Sequence, residues 1–220
     1  MPQSLERIIS SWPILMEATG KTLFLTFTSI IVGVVLALFL ALGRISRIKP
    51  VKGFCWTYIW IFRGTPMLLQ IYFIYFIAPK LFNNAFRMNE YFAAILALGL
   101  NSAAYLAEII RAAIQSIDKG QLEASKALGM HSRLAMMRVI IPQSIRRMIP
   151  PVGNEFIMLL KDTSLVSAVS ITELLRVTRQ MTNSTGDPVY YLPAVVIYLF
   201  LTTIFTYVFE KLEKKYSIYE

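Results

Sequence analysis

Long apolar runs without charge dominate the hydrophobic pattern of this sequence. Three of these runs, at 22–42, 91–107 and 189–209, contain no Asp, Glu, Lys or Arg. A helix that crosses a bilayer needs about 20 consecutive, mostly apolar residues. The pattern therefore predicts an all-α integral membrane protein rather than a soluble helical bundle.

Five transmembrane helices are expected within one membrane domain that takes up residues 1–220. Their approximate bounds are 22–42, 66–82, 89–114, 149–170 and 190–209. The second is the least regular, because apolar stretches lie on both sides of Arg63 and an arginine inside the membrane is costly. We expect a tilted or interfacial helix up to Phe62, with Arg63 at the inner surface. The span proper then begins with Thr65 as its N-cap and Pro66 as its first residue.

Charge sets the expected orientation. The chain is 56% hydrophobic and has a net charge of +9. Its basic residues concentrate in the loops after the first and third spans and in the C-terminal segment, which the positive-inside rule assigns to the cytoplasm. The N-terminus is therefore expected outside, and nothing in this distribution resembles a nucleic-acid-binding face. The single cysteine, Cys55, excludes an intrachain disulfide and a cysteine-based metal site.

The cytoplasmic loop 116–142 carries its own helix signals. Asp118 is placed to cap a short helix from about 120 to 128, and Gly129 follows as a residue in the left-handed region. Ser132 is placed to cap a second helix. This helix–glycine–helix arrangement fits a docking element, although an ordinary solvated loop with helical content fits the local pattern equally well.

Polar residues inside the third and fourth spans mark a candidate substrate pathway. Asn101, Tyr105 and Glu108 share one face of the third span, and Arg111 is placed to form an ion pair with Glu108. That pair is expected to be structural, because the two charges neutralise each other. Intramembrane ionisable groups usually face a cavity or a partner.

The fourth span carries Glu155, Lys161 and Asp162, with the Thr163 hydroxyl beside them. Glu155 and Asp162 nearly share a face, and both signs of charge suit a zwitterionic amino acid. An acidic excess leans toward a cationic amino acid if both acids face the cavity. The other possibility is that Lys161 and Asp162 satisfy each other or a neighbouring helix.

Catalysis and metal binding find no support in the sequence. The segment Gly20-Lys21-Thr22 echoes the end of a phosphate-binding loop, but Leu15 stands where that motif needs glycine. His131 is the only histidine, so neither a catalytic triad nor a histidine metal cluster is available. The chain is expected to be no enzyme and to bind no cofactor or metal of its own.

The cytoplasmic loop resembles that of ATP-binding-cassette (ABC) importer permeases. Their EAA motif has Glu-Ala-Ala, three residues, Gly, nine residues and Ile-x-Leu-Pro, and this chain has Glu123-Ala124-Ser125, Gly129 and 139–142 (Val-Ile-Ile-Pro) at the same spacing. The stretches 63–76, 102–114 and 153–165 resemble segments of the polar amino-acid permeases among them. The resemblance implies a type I importer permease fold in a bacterial cytoplasmic (inner) membrane.

The same resemblance implies partners and residue roles. A second permease subunit, identical or paralogous, two cytoplasmic ATPases that bind ATP and Mg²⁺, and an extracytoplasmic amino-acid-binding protein are expected. Coupling to the ATPase is expected at Glu123, Ala124 and Gly129. The residues expected to bind the amino-acid substrate are Asn101, Tyr105, Glu155, Lys161, Asp162 and Thr163.

One alternative stays open from the sequence. An ion-coupled secondary amino-acid transporter would use Asp162 or Glu155 as a proton site. Inverted repeats would favour it, and we recognise none. The sequence does not identify the amino acid that is carried.

Overall fold

The computed structural model describes residues 2–84 and 87–216, and every regular element in these ranges is helical. The α-helices are α1 Pro2–Ile45, α2 Lys49–Gly64, α3 Met67–Leu81, α4 Glu90–Gln115, α5 Lys119–Ala127, α6 Ser132–Ala135, α7 Ile141–Asp162, α8 Leu174–Thr185 and α9 Tyr191–Tyr216. A π turn, Phe73–Ile77, lies within α3, and a second, Met136–Ile140, joins α6 to α7. Short 3₁₀ helices cover Thr163–Val169 and Pro188–Tyr190.

Three stretches of the described residues are long and apolar enough to cross a membrane: Ile8–Ile45, Glu90–Gln115 and Pro188–Tyr216. A fourth crossing is formed if α2 and α3, which meet at 110°, count as one broken span. Helix α7 is not among these apolar stretches, because its charged side chains, including that of Glu155, lower its mean hydropathy. Outward-facing apolar side chains such as Phe39 and Phe200, 70% and 64% exposed, suit a lipid environment.

The predicted fourth span differs from the observed helix at both ends. The sequence placed one helix over 149–170, whereas α7 begins at Ile141 and ends at Asp162. The chain then tightens into the 3₁₀ helix and stops at Ser170, whose φ of 71° lies in the left-handed region. The hydroxyls that follow Asp162 favour local hydrogen bonds to the backbone over a continuing α-helix.

The predicted start of the second span was wrong. Thr65 does not cap α3, because its hydroxyl donates backward to the Ile61 carbonyl at 2.8 Å. Thr65 and Pro66 both have extended backbones, and the helix begins at Met67. The ring of Pro66 disfavours helical geometry at the preceding residue, so the chain must bend at Thr65.

The cytoplasmic loop forms the predicted helix–glycine–helix elbow. Asp118 caps α5 by accepting a hydrogen bond of 2.6 Å from the Gly120 amide. The helix ends at Ala127, and Gly129, two residues later, has a φ of 82° and donates to the Lys126 carbonyl. Both local predictions are confirmed.

The cap of the second loop helix is His131 rather than Ser132. The His131 Nδ1 accepts a hydrogen bond of 3.2 Å from the Leu134 amide, and Ser132 is the first helical residue. Histidine is an uncommon N-cap, so the residue preference of this position pointed to the neighbouring serine.

Helices α1 and α4 form the centre of the molecule through close backbone approach. A Cβ added at Gly99 would lie 2.8 Å from Val32 Cγ1 and 3.2 Å from the Ser29 carbonyl oxygen. Other small residues of α4 are buried on both sides of Gly99: Ala93, Ala94, Ala97, Ala103, Ala104 and Ala107. Close packing of α1 fixes the position of α4, which carries half of the candidate site.

Helix α8 was not predicted, because its stretch lies between the expected fourth and fifth spans, 149–170 and 190–209. Its N-cap is the fully buried Glu173, which accepts hydrogen bonds from the amides of Leu175 at 2.8 Å and Arg176 at 2.7 Å. The Arg176 guanidinium donates to the Ser167 carbonyl at 2.7 Å. These contacts attach the end of the 3₁₀ helix that follows α7 to the start of α8.

Candidate functional site

A cavity of about 180 Å³ brings together polar residues from α4 and α7. Asn101 and Tyr105 reach it from α4, and Glu155 and Asp162 reach it from α7. Residues 65–67 of the α2–α3 break and Met158 complete its lining. Four of the six predicted substrate residues therefore lie around one space, and we call it the central cavity.

Glu155 is the most enclosed acid of the central cavity, with only 7% of its surface exposed. The Ser102 hydroxyl donates a hydrogen bond of 2.8 Å to Glu155 Oε1, which fixes one carboxylate oxygen. Gly33 lets α1 approach this contact, because a Cβ there would lie 3.2 Å from Ser102 Cβ. A carboxylate in this setting attracts a cationic group, since burial weakens competition from water.

The Asn101 side chain is held in one orientation. Its Nδ2 donates to the Phe62 carbonyl at 3.0 Å and to Gln70 Oε1 at 2.9 Å. A backbone carbonyl can only accept, so the nitrogen and not the oxygen must face Phe62. Both amide hydrogens are used in this way, which leaves the Asn101 Oδ1 as a hydrogen-bond acceptor.

Gln70 is the residue that sequence reasoning missed. Its Nε2 lies within hydrogen-bonding distance of the Phe62 carbonyl at 2.9 Å and of the Thr65 carbonyl and hydroxyl at 3.0 and 2.8 Å. The break between α2 and α3 leaves helix-end carbonyls without intrahelical donors. The Gln70 side-chain amide supplies a donor to these carbonyls. A buried amide in an otherwise apolar stretch one turn after Pro66 was the available signal.

Lys161 and Thr163 do not line the central cavity. The Lys161 side chain is exposed, and the fully buried Thr163 hydroxyl donates to the Leu160 carbonyl at 2.7 Å. One helical residue corresponds to a rotation of about 100°, so Lys161 points away from the face that carries Asp162. Within the described residues, Lys161 and Asp162 form no ion pair.

The predicted pair of Glu108 and Arg111 is confirmed. Arg111 Nη2 lies 2.6 Å from Glu108 Oε2, and Arg111 Nε donates to the same carboxylate at 3.0 Å. Two further arginines, Arg44 and Arg63, approach Glu108 at 3.6 and 3.9 Å. Both come from other helices, which the spacing along α4 could not indicate.

The predicted coupling residues lie on the outer surface of the elbow. Glu123, Ala124 and Gly129 are exposed, and the neighbouring Leu128 is 84% exposed. Ser125 faces inward instead, and its hydroxyl donates to the backbone of its own helix. The elbow thus presents a small apolar and polar surface that the described part of the chain leaves uncovered.

The all-helical fold, its apolar surface and its buried polar cavity define a membrane permease component. The chain belongs to the family of binding-protein-dependent transport system inner membrane components, whose family model matches residues 18–218. Its fold is that of a type I ABC importer permease, as the solved structures below indicate.

Relatives with curated names match nearly the whole chain. It is 39% identical over 207 residues to the nopaline transport system permease protein NocM of Agrobacterium fabrum, covering 90% of this chain and 86% of the relative. It is 38% identical over 212 residues to the L-cystine transport system permease protein TcyB of Bacillus subtilis, covering 96% and 89%.

Solved structures of ABC transporters share the fold of this chain. A crystal structure described as an amino acid ABC transporter with histidines has a TM-score of 0.88 and 37% identity, covering 95% of this chain and 97% of that one. A structure of the MetNI methionine ABC transporter has a TM-score of 0.72 at 17% identity, covering 98% and 99%, and supports the fold alone.

Proposed function

We propose that this chain is the permease subunit of an ATP-driven importer of polar amino acids. The observation that carries the proposal is the central cavity, in which Glu155, Asp162 and the oriented Asn101 amide converge between two helices of a permease fold. The relatives support this substrate class, since their names refer to nopaline, L-cystine, arginine and glutamine transport. No observation favours the ion-coupled alternative.

Substrate recognition in the central cavity follows from the donors and acceptors on its wall. Asn101 Oδ1 and the carboxylates of Glu155 and Asp162 all accept hydrogen bonds, so the cavity suits ammonium or guanidinium groups. The Tyr105 hydroxyl on the same wall can donate a hydrogen bond to a substrate α-carboxylate. This excess of acceptors favours a cationic amino acid over an anionic one.

Lys161 and Thr163 have roles outside the central cavity. Thr163 stabilises the change from α-helix to 3₁₀ helix after Asp162, through its hydrogen bond to Leu160. Lys161 lies on the exposed face of α7, outside the central cavity. Neither residue needs to contact the amino acid while it occupies the central cavity.

Coupling to ATP hydrolysis is assigned to the elbow. We place it on the cytoplasmic side of a bacterial inner membrane, with the N-terminus outside. Glu123, Ala124 and Gly129 form the surface that docks on one of two separate ATPase subunits, which bind ATP and Mg²⁺. An extracytoplasmic binding protein delivers the amino acid from the other side.

Reconstitution of the complex in proteoliposomes tests the proposal. ATPase activity is measured with the binding protein and a panel of cationic, neutral polar and acidic amino acids. Stimulation by cationic or neutral polar amino acids is expected, with the cationic ones strongest. A complex that no amino acid stimulates, or that only acidic ones stimulate, contradicts the proposal.

A further inference from the structure

A second cavity, of about 370 Å³, adjoins the central cavity and shares Tyr105 with it. The polar part of its wall is formed by Arg44, Arg63 and Glu108, and the aromatic part by Tyr105, Trp56 and Trp60. We call it the arginine cavity. Its charged side chains come from the end of α1, the end of α2 and the C-terminal third of α4.

Positive charge in the arginine cavity is only partly neutralised. Glu108 is the one carboxylate on its wall, and its hydrogen bonds go to Arg111 at 2.6, 3.0 and 3.1 Å. Arg44 and Arg63 approach Glu108 only to 3.6 and 3.9 Å, beyond ordinary hydrogen-bonding distance. One carboxylate therefore stands beside three guanidinium groups.

Arg44 also has an unused donor. Its Nε is buried and faces Glu108 Oε1 at 3.6 Å, so the ion pair leaves this N–H without a hydrogen bond of ordinary length. A buried donor without an acceptor costs free energy. An anion in the cavity would satisfy this donor, and its charge would balance the excess of guanidinium groups.

The rest of the wall suits a small organic molecule better than a bare ion. The Arg63 guanidinium lies 5.2 Å above the Tyr105 ring, which holds it at the boundary between the two cavities. The rings of Trp56 and Trp60 stack with their centroids 5.9 Å apart, and both line the arginine cavity. Such a site offers guanidinium groups for a carboxylate and aromatic surface for a side chain.

We infer that the arginine cavity is a second station for the transported amino acid, where Arg44 and Arg63 bind its α-carboxylate. The inference rests on the proposed function. Glu108 lies seven residues after Asn101 in α4, about 10 Å nearer the end that leads into the cytoplasmic elbow. In the proposed orientation this station lies on the exit side, and the amino acid reaches it by passing Tyr105.

Luminal inhibition in proteoliposomes tests this station. The complex is oriented with its ATPase side inward, ATP is enclosed, and uptake from outside is measured with increasing L-arginine preloaded in the lumen. Occupation of the exit station is expected to slow uptake by the wild-type complex. In Arg63→Gln and Arg44→Gln, about tenfold more luminal L-arginine is expected to be needed for the same fractional inhibition, the effect of losing one charge-assisted hydrogen bond.

Matched variants and ligands make the result specific. Arg47→Gln removes the same charge from an exposed residue three positions beyond Arg44 and is expected to behave as wild type. Arg63→Lys keeps the charge, and is expected to recover part of the inhibition and to show that a loss in Arg63→Gln is not misfolding. Agmatine, which is L-arginine without its carboxylate, is expected to inhibit at least about tenfold less well.

Each other outcome contradicts the inference. Unchanged inhibition in both glutamine variants, absence of luminal inhibition in the wild type, or equal inhibition by agmatine would show that the cavity does not bind the α-carboxylate. Equal inhibition by luminal inorganic phosphate would identify a general anion site. An Arg44-dependent and Arg63-dependent response to phosphatidylglycerol, in place of luminal inhibition, would assign the cavity to a lipid headgroup. Uptake into vesicles with an empty lumen tests the proposed function separately.

Discussion

Asn101 Nδ2 donates a hydrogen bond of 2.9 Å to Gln70 Oε1, across the interface between α4 and α3. Gln70 in turn donates to the carbonyls at the α2–α3 break, so the bend in the chain and the orientation of Asn101 depend on the same side chain. Because Asn101 uses both amide hydrogens in this network, it presents an acceptor to substrate. The broken helix therefore determines which group Asn101 presents to the central cavity.

Replacement of Gln70 by leucine is expected to weaken substrate binding. The change removes a partner of Asn101 and leaves the Thr65 carbonyl without its donor, at a cost of about 1–3 kcal/mol. Asn101 then gains freedom to rotate, and we expect the KM for uptake to rise by roughly tenfold, with a smaller change in assembly of the complex. Uptake kinetics in proteoliposomes measure this.

Gln143→Leu is the matched control, because Gln143 is half-buried and donates only to the Val139 carbonyl one turn earlier in its own helix segment. Its KM is expected to stay within about twofold of wild type. Equal effects of the two substitutions would contradict the positioning role of Gln70.

Glu155→Gln is expected to reduce uptake of cationic amino acids by at least about tenfold while keeping the volume of the side chain. The Ser102 hydroxyl can still donate to the amide oxygen, so the loss reports on charge rather than on packing. The same substitution at the exposed Glu210 of α9 serves as control and is expected to be neutral. Unchanged uptake in Glu155→Gln would remove this residue from the substrate site.

Gly129→Asp is expected to uncouple transport. A residue with a side chain at a φ of 82° is strained by about 1–2 kcal/mol, and the added charge alters the exposed elbow surface. ATPase association during purification, and substrate-stimulated hydrolysis, are expected to fall, while the permease still inserts.

Gly186 offers a matched control for this strain. Its φ is 70°, and a Cβ at either glycine would meet no atom within 4 Å. Gly186→Asp therefore introduces a similar local strain far from the elbow in sequence, and coupling is expected to persist. Loss of coupling in both variants would point to general destabilisation instead of docking.

Gly99→Ala is expected to destabilise the contact between α1 and α4. The added methyl would lie 2.8 Å from Val32 Cγ1, and overpacking of this kind costs about 1–3 kcal/mol. The same change at Gly20, whose Cβ position is open, is expected to stabilise α1 by up to about 1 kcal/mol through helix propensity. Thermal unfolding midpoints in detergent compare the two, and a Gly99→Ala midpoint at or above that of Gly20→Ala would refute the packing argument.

Local features of this chain could be predicted well from its sequence. Asp118 and Gly129 act within a few residues of their own positions, so residue preferences were enough to place the elbow. The Glu108–Arg111 pair is likewise set by helical spacing. Asn101, Tyr105, Glu155 and Asp162 reach one cavity because polar residues in apolar helices turn away from lipid.

Features that depend on contacts between distant segments could not be predicted. Gln70 joins the site only because α2 and α3 bend at Thr65, and one sequence does not show which carbonyls that bend leaves open. Arg44 reaches Glu108 from 64 positions away, which no local pattern records. Lys161 was included because its positive charge suits a substrate carboxylate, although consecutive residues of a helix point in different directions.

ATP-dependent uptake by the reconstituted complex tests the central claim most directly. Proteoliposomes containing this chain, its ATPase and its binding protein are supplied in turn with the labelled cationic, neutral polar and acidic amino acids, L-arginine among them, with ionophores present to remove proton and sodium gradients. Accumulation that requires enclosed ATP, survives the ionophores and falls in Glu155→Gln is the predicted result. Accumulation that an ion gradient drives without ATP would contradict it. So would the absence of accumulation with every amino acid of the panel.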